Sequence, residues 1–228
     1  LRMVGEAVKD EILASVCTEL IASGVSFSCA GGATLLGGAD EGLYGWVTVN
    51  YLLNSLYSPP EQPPVGTIDL GGGSVQIVFG SDKATSSDTS KSLTFGAATH
   101  NVYVKSHLGF GLDEARKAFL TNLREKRGSS PVSNPCMPRG ATEVVNGDTY
   151  TGEGDFKRCT KMMAKLFPHT FVDGMPALSG RFYGFSYMYD RTAAIGLVDG
   201  TPTVYGQQEM SAGDISRAAD AICALDAD

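Results

Sequence analysis

The sequence has no run of lysine and arginine and no long apolar stretch. Its 18 Lys and Arg are outnumbered by 25 Asp and Glu, which gives a formal net charge of −7. An acidic chain without a basic patch binds the phosphate backbone of nucleic acids poorly, so we expect no nucleic-acid partner. No segment approaches the roughly 18–20 consecutive apolar residues that a membrane-spanning helix needs, so we expect no membrane span in this chain.

Several chemical signatures are also missing. The P-loop G-x-x-x-x-G-K-[ST], the elbow G-x-S-x-G and the zinc-protease motif H-E-x-x-H do not occur, which excludes the corresponding nucleotide, serine-hydrolase and metalloprotease sites. None of the five cysteines forms C-x-x-C, and the three histidines lack metal-ligand spacing, so a zinc site has little support. The odd number of cysteines leaves at least one thiol unpaired within the chain.

Apolar residues recur with helical spacing in some segments and alternate as in strands in others. The predicted helices cover residues 8–21, 40–56, 113–126, 156–167 and 214–225. The predicted strands cover residues 25–29, 67–70, 75–79, 101–105 and 182–189, with polar or turn-rich segments at 81–92 and 127–150. Prolines between residues 59 and 64 predict a stiff link. Because strands and helices interleave, we expect an α/β fold with a mixed sheet and flanking helices.

A glycine turn between two predicted strands is the first of two segments that indicate a binding site. The residues that carry it are Asp69, Gly71, Gly72, Gly73, Ser74 and Gln76. Consecutive glycines let backbone N–H groups converge on an anion, and a carboxylate before them can hold a divalent cation directly or through water. Ser74 and Gln76 share one strand face and can point at one ligand atom. A hairpin whose aspartate caps its own turn is the structural alternative, and the complete D-x-G-G-x-S-x-Q frame favours phosphate.

The predicted helix over residues 40–56 is the second such segment. Glu41 lies in its first turn, where an anion also complements the helix dipole. Gly42 and Gly45 each cost about 1 kcal/mol in a helix relative to alanine, so we expect a close approach on that face. Trp46, the single tryptophan, is predicted to belong to the core rather than to stack on a ligand.

The two segments together resemble two apyrase conserved regions of the nucleoside triphosphate diphosphohydrolases. They read E-G-L-Y-G-W-V-T-V-N-Y-L-L over residues 41–53 and D-L-G-G-G-S-V-Q-I over residues 69–77. Further matches follow in the family's order at residues 104–111, 134–140 and 182–187, and Leu1, Arg2 and Met3 resemble the tail of its A-T-A-G-L-R region. The resemblance covers nearly the whole chain.

The resemblance implies a two-lobed actin/Hsp70/sugar-kinase architecture and hydrolysis of nucleoside tri- or diphosphates. It makes Glu41 the general base and gives Asp69 the water-mediated contact to Mg²⁺ or Ca²⁺. It also implies that the amides of Gly71, Gly72 and Gly73 bind phosphate, while Ser74 and Gln76 orient the attacking water. Tyr187 and Tyr189 follow the match at 182–187 and are candidates for stacking a nucleobase, but the preferred interpretation is that they are core positions of an alternating strand.

The chain departs from the family's pattern in two places. It lacks the first phosphate loop D-A-G-S-S-G-T/S-R and the closing segment. We therefore expect residues 1–58 to form connecting helices and the end of a first lobe, and residues 65–228 a second, phosphate-binding lobe that is incomplete at its C-terminus. Weak or no turnover is expected unless a missing lobe is supplied, and a homo-oligomer is left open.

The cysteines indicate the redox state of the compartment in which the protein is found. Cys136 and Cys159 occupy positions that the family pairs, which implies an oxidising, secreted or lumenal location. Cys17 and Cys29 are expected either to pair or to stay as buried thiols, and Cys223 to pair outside the chain. Two alternative functions remain: an exopolyphosphatase of the same superfamily, whose turn also reads D-x-G-G-G-S, and a catalytically silent nucleotide-binding lobe.

Overall fold

The computed structural model describes residues 1–57, 63–81, 88–128, 130–168, 172–198 and 209–227. They divide into two compact units. The first contains Leu1–Asp69, Gly73–Gly111 and Pro176–Tyr183, and the second contains Leu70–Gly72, Leu112–Met175 and Gly184–Asp228. The division into lobes at residues 58 and 65 stays a prediction. The linker prolines Pro59 and Pro60, and His169, lie outside the described residues.

The first unit places a helix on a sheet. Its helices are α1 (Glu6–Ala22), the short α2 (Cys29–Gly32) and α3 (Gly38–Leu52). The strands are β1 (Gly66–Leu70), β2 (Ser74–Gly80), β3 (Ser90–Phe95) and β4 (Ala98–Leu108). In the five-stranded sheet the order is β3-β4-β2-β1-β8, where β8 is Phe182–Ser186, and β4 runs antiparallel to both β2 and β3. Apolar side chains of α3, β2 and β4 form the core around the fully buried Trp46, as predicted.

Helix α3 ends four residues before its predicted end because Asn50 anchors it there. The fully buried Asn50 accepts hydrogen bonds at Oδ1 from Val65 N and Ser55 Oγ, both at 2.8 Å. Its Nδ2 donates to Trp46 O at 3.0 Å and Val65 O at 3.1 Å. Asn54 then takes a left-handed φ of 56°. A buried amide with every hydrogen-bonding group satisfied thus ties the helix end to the start of β1.

The second unit has its own small sheet and core. Its helices are α4 (Leu112–Arg127), α5 (Phe156–Met163), α6 (Tyr187–Ala194) and α7 (Ala212–Cys223), and a 3₁₀ turn covers Ala164–Leu166. Strands β5 (Val132–Asn134), β6 (Thr142–Val145) and β7 (Asp148–Gly152) form a sheet in the order β5-β7-β6. Phe119, Leu120, Leu123, Val132 and Tyr150 make the core. The predicted helices at 113–126, 156–167 and 214–225 are confirmed within a few residues.

Two sequence-based assignments are wrong. Residues 25–28 have no strand, since no strand pairs with them and Val25 is 55% exposed; α2 begins at Cys29. The predicted strand at 182–189 stops at Ser186, whose φ of 56° and ψ of −135° break it, so Tyr187 and Tyr189 lie on helix α6. The turn-rich segment at 127–150 also contains short strands that the sequence did not predict, and an Asn146-Gly147 hairpin, with φ of 51° and 84°, joins β6 to β7.

Four of the five cysteines form disulfides. Cys17 bonds Cys29 in the first unit, which settles the alternative left by the sequence, and Cys136 bonds Cys159 in the second unit, as predicted. Cys223 is a buried free thiol, and burial raises its pKa. Among the residues that the structure describes, no helix is both long and apolar enough to cross a membrane.

Candidate functional site

The first two carbonyls of the glycine turn face the start of helix α4 within the second unit. Gly71 O accepts a hydrogen bond from Leu112 N at 2.9 Å, and Gly72 O accepts one from Asp113 N at 3.0 Å. In a planar trans peptide, the N–H points opposite to the carbonyl. The N–H groups of Gly72 and Gly73 therefore point away from α4, as a turn that offers amides to an anion requires.

The third glycine leads into strand β2, where the two predicted polar residues lie. Gly73 O accepts a hydrogen bond from Gly109 N at 2.8 Å in the first unit. Ser74 and Gln76 follow on β2 with exposures of only 4% and 2%, although both are polar. Polar side chains that are buried this deeply are retained where hydrogen bonds satisfy them, and both are so satisfied.

Glu41 meets Ser74 and Gln76 through shared donors. Gln76 Nε2 donates to Glu41 Oε2 at 2.8 Å and to Ser74 Oγ at 2.7 Å. Arg2 Nη2 donates to the same two atoms, at 2.5 Å to Glu41 Oε2 and at 2.9 Å to Ser74 Oγ. Among the described residues, nothing hydrogen-bonds to Glu41 Oε1. The structure thus brings together three of the predicted site residues and leaves one carboxylate oxygen of Glu41 as an acceptor.

Glycines on α3 make this close approach feasible. A Cβ at Gly42 would lie 2.9 Å from Gln76 Cβ and 3.2 Å from Val78 Cγ2, so only glycine lets the helix pack this tightly on β2. At Gly38 a Cβ would overlap the guanidinium of Arg2 and the hydroxyl of Ser106. Gly42 lowers the helix propensity of α3, but it also lets α3 approach β2 closely enough for Glu41 to reach Gln76.

The sequence reasoning missed two members of the network, Arg2 and Ser106. Arg2 was noticed only as part of the L-R-M tail, and Ser106, which lies 3.2 Å from Gln76 Nε2, only as part of the match at 104–111. The pairing of Arg2 with Glu41 has no local spacing signal, because 39 residues separate them in the chain. The family resemblance at residues 1–3 was the one available indication.

Asp69 lies near the end of β1 and is partly exposed. No described residue forms a hydrogen bond or ion pair with its carboxylate, and the described residues contain no cluster of three His, Cys, Asp or Glu that could hold a metal directly. A single unengaged carboxylate fits a divalent cation held through its hydration shell better than a protein cage. The residues present therefore fit the water-mediated contact predicted for Asp69.

The tyrosines predicted to stack a base lie in the second unit. Tyr187 opens helix α6, and the guanidinium of Arg191 lies 5.0 Å from the centre of its ring. Tyr189 is 39% exposed. Their role in base stacking stays a prediction, and its strand-core alternative is wrong because both residues are helical.

Comparison with known proteins identifies relatives along most of the chain. The profile of the GDA1/CD39 (nucleoside phosphatase) family matches residues 1–203. A probable guanosine-diphosphatase of Aspergillus fumigatus is 32% identical, over 87% of this chain and 50% of that protein. Ectonucleoside triphosphate diphosphohydrolase 8 of Bos taurus is 32% identical, over 79% of this chain and 44% of that protein. The chain spans about half or less of the length of these curated relatives.

A solved structure shares the fold. The crystal structure described as nucleoside triphosphate hydrolases from Neospora caninum matches with a TM-score of 0.57 and 15% identity, over 83% of this chain and 50% of that chain. At this identity the likeness shows the fold alone, and it confirms the predicted α/β class of the actin/Hsp70-like type. Since the family profile spans residues 1–203, which include both apyrase-like motifs, the chain belongs to the GDA1/CD39 (nucleoside phosphatase) family.

Proposed function

We propose that this chain takes part in hydrolysing the terminal phosphoanhydride bond of nucleoside tri- or diphosphates, and that it contributes the general base and one phosphate-binding turn. The observation that carries the proposal is the network in which Glu41, Ser74 and Gln76 meet through shared hydrogen bonds. The names of two relatives, a guanosine-diphosphatase and a nucleoside triphosphate diphosphohydrolase, support nucleotides as substrates.

The proposed chemistry is an in-line attack of water on the terminal phosphorus. Glu41 Oε1 accepts a proton as the water oxygen bonds to phosphorus, while Ser74 and Gln76 orient that water. The bond from phosphorus to the bridging oxygen breaks, and its electron pair leaves with the shortened nucleotide. Phosphoryl transfer depends mainly on positioning and on neutralising charge, and the amides of Gly72 and Gly73 supply donors for phosphate oxygens.

Asp69 would hold the divalent cation through water. A bound Mg²⁺ or Ca²⁺ neutralises charge on the phosphate oxygens. The family membership supports divalent-cation dependence.

An oxidising compartment is part of the proposal. The disulfides Cys17–Cys29 and Cys136–Cys159 persist in secreted or lumenal proteins and are rare in the cytosol. One relative is named as an ectonucleoside enzyme, which agrees with that location. We propose that the chain is secreted or lumenal.

Phosphate release from ATP, ADP, GDP and polyphosphate, with Mg²⁺, with Ca²⁺ and with EDTA, tests the function. Glu41→Gln removes the proton acceptor but keeps the shape, so kcat should fall by about 10²-fold or more. The matched control is Glu11→Gln, since Glu11 is an exposed carboxylate on α1 of the same unit. Release that falls less than tenfold in the Glu41 variant would contradict the assignment of the base.

Two outcomes would favour the alternatives. A strong preference for polyphosphate over nucleotides would indicate an exopolyphosphatase-like activity. Nucleotide binding, measured by calorimetry, without any metal-dependent release even after a lobe that carries the first phosphate loop is supplied would indicate a nucleotide-binding lobe without catalysis.

A further inference from the structure

Hydrogen-bond accounting at Ser74 fixes the direction of its hydroxyl proton. Ser74 Oγ has two lone pairs and one proton. Arg2 Nη2 donates to it at 2.9 Å and Gln76 Nε2 at 2.7 Å. Neither of these nitrogens can accept a hydrogen bond, because guanidinium and amide N–H groups are donors only. Both lone pairs of Ser74 are therefore engaged, and its proton must point to a third partner.

The same count of donors and acceptors determines which atom of the Gln76 amide faces Glu41. An ionised carboxylate only accepts, so the Gln76 atom 2.8 Å from Glu41 Oε2 must be the NH₂ group and not the amide oxygen. Arg2 Nη2 has two protons, and its two partners are Glu41 Oε2 and Ser74 Oγ. Gln76 Nε2 also has two protons, and it lies near three oxygens. The two shortest contacts, to Ser74 Oγ at 2.7 Å and Glu41 Oε2 at 2.8 Å, take these protons, and Ser106 Oγ at 3.2 Å is the weaker third contact. Arg2 and Gln76 thus each donate to both Glu41 Oε2 and Ser74 Oγ.

Arg2 is held in this arrangement by packing as well as by charge. Its side chain is 21% exposed, against 38% for the side chain of Glu41. The missing Cβ of Gly38 leaves the space that the guanidinium occupies. A solvated surface ion pair would need no such space, so the contact has a defined geometry rather than only opposite charges.

We propose that Arg2 is a positioning residue that sets the polarity of the water site. By occupying Glu41 Oε2 and one lone pair of Ser74, it leaves Glu41 Oε1 as an acceptor and the Ser74 hydroxyl as a donor. A water between them gives its proton to Glu41 and accepts from Ser74, so one lone pair is directed at phosphorus. Without Arg2 the Ser74 hydroxyl is free to rotate toward the carboxylate and to block the base. This proposal rests on the proposed function.

A double-mutant cycle tests the inference. Arg2→Gln should lower kcat by about 10²-fold, as misplacement by about 1 Å does, and change KM less than about threefold. In the Glu41→Gln background the same change should cost less than about threefold, because Arg2 acts through Glu41. Full additivity of the two losses would overturn the proposal. Arg217→Gln, which breaks the surface ion pair with Asp214, is the matched control and should leave kcat unchanged.

Arg2→Lys separates geometry from charge. Lysine keeps the charge but presents a flexible point donor instead of a planar fork. For Arg2→Lys we expect the melting temperature of the wild type and a kcat lowered about tenfold or more. For Arg2→Ala we expect added guanidinium to restore part of the activity. Wild-type kcat in Arg2→Lys would show that charge alone is needed and would overturn the proposal.

A structural readout keeps the two proposals distinguishable. Neutron diffraction from deuterium-exchanged crystals of the chain should place the Ser74 deuteron away from Arg2, Gln76 and Glu41. In Arg2→Gln that deuteron should turn toward Glu41. A wild-type deuteron directed at Glu41 would overturn the role of Arg2 whether or not the chain hydrolyses nucleotides. Loss of activity in Glu41→Gln but not in Arg2→Gln would leave the proposed function standing and remove this inference alone.

Discussion

His107 is a buried histidine one residue after the network's Ser106. It lies on β4 opposite Val75 of β2 and is 9% exposed. Burial lowers its pKa, and the positive charge of Lys105 lowers it further. A buried neutral histidine binds a proton less readily than the same residue in the unfolded chain. Stability is therefore full above the unfolded pKa of about 6.5 and is lost as the pH falls below it.

Replacing His107 should flatten part of the acid dependence of stability. Just below a pH of about 6.5 this group contributes a slope of up to about 1.4 kcal/mol per pH unit, with stability rising as pH rises. His107→Gln removes the titration, so its free energy of unfolding should vary less over this range than that of the wild type. Urea titrations at several pH values measure both slopes. Equal slopes would mean that His107 does not contribute.

At the scale of elements, the contact between α3 and β2 determines where Glu41 lies. The helix can approach because Gly42 has no side chain, and Gln76 and Val78 fill the space where its Cβ would be. The nearer atom, Cβ of Gln76, is fixed by the strand backbone. The other, Cγ2 of Val78, belongs to a fully buried side chain that has no solvent to rotate into. The helix would have to move as a body.

Gly42→Ala should therefore destabilise the chain even though alanine favours helix formation. Overpacking typically costs about 1–3 kcal/mol, which exceeds the gain of about 1 kcal/mol in helix propensity. We expect a net loss of about 1 kcal/mol in the free energy of unfolding, together with lower phosphate release because Glu41 moves. The control is Gly80→Ala at the exposed end of β2, where a Cβ meets nothing within 4 Å. An unchanged or more stable Gly42→Ala would contradict the packing argument.

Elements with long, regular patterns were predictable, and short ones were not. The helix predicted at 113–126 is found at Leu112–Arg127, because its apolar and charged residues alternate over four turns. Strands β5, β6 and β7 have three to five residues, too few for a periodic signal. The Asn146-Gly147 pair was the available hairpin signal in that segment.

At the scale of the whole molecule, each unit has a separate core. Trp46, the single tryptophan, belongs to the core of the first unit, and Tyr150 belongs to that of the second. Fluorescence of Trp46 therefore reports on the first unit alone, whereas circular dichroism reports on helices of both. The Cys136–Cys159 disulfide stabilises the second unit, since it closes a loop of 23 residues.

Removing that disulfide should separate the two signals. In the double variant with serine at positions 136 and 159, the second unit should lose about 3 kcal/mol of stability. The urea transition followed by circular dichroism should gain an earlier phase, while the midpoint followed by Trp46 fluorescence stays in place. Serine at positions 17 and 29, in the first unit, is the matched comparison. Identical shifts of both signals after the 136/159 change would show that the units unfold as one.

The sequence by itself predicted the fold class and the candidate site residues. The turn from Asp69 to Gln76 and the motif around Glu41 are each contiguous in the sequence. Their residue types indicate an anion and a divalent cation as ligands. A family resemblance along the chain joined them, and the family profile agrees over residues 1–203.

Only the tertiary structure decided which distant residues meet. Arg2 reaches Glu41 across 39 residues and Ser74 across 72, and no local pattern encodes such a contact. The direction of the Ser74 proton follows from that meeting, because the donors around a hydroxyl are set by neighbours from other elements. The helical start at Tyr187 was likewise decided by the backbone of Ser186, in a segment whose alternating residues favour a strand.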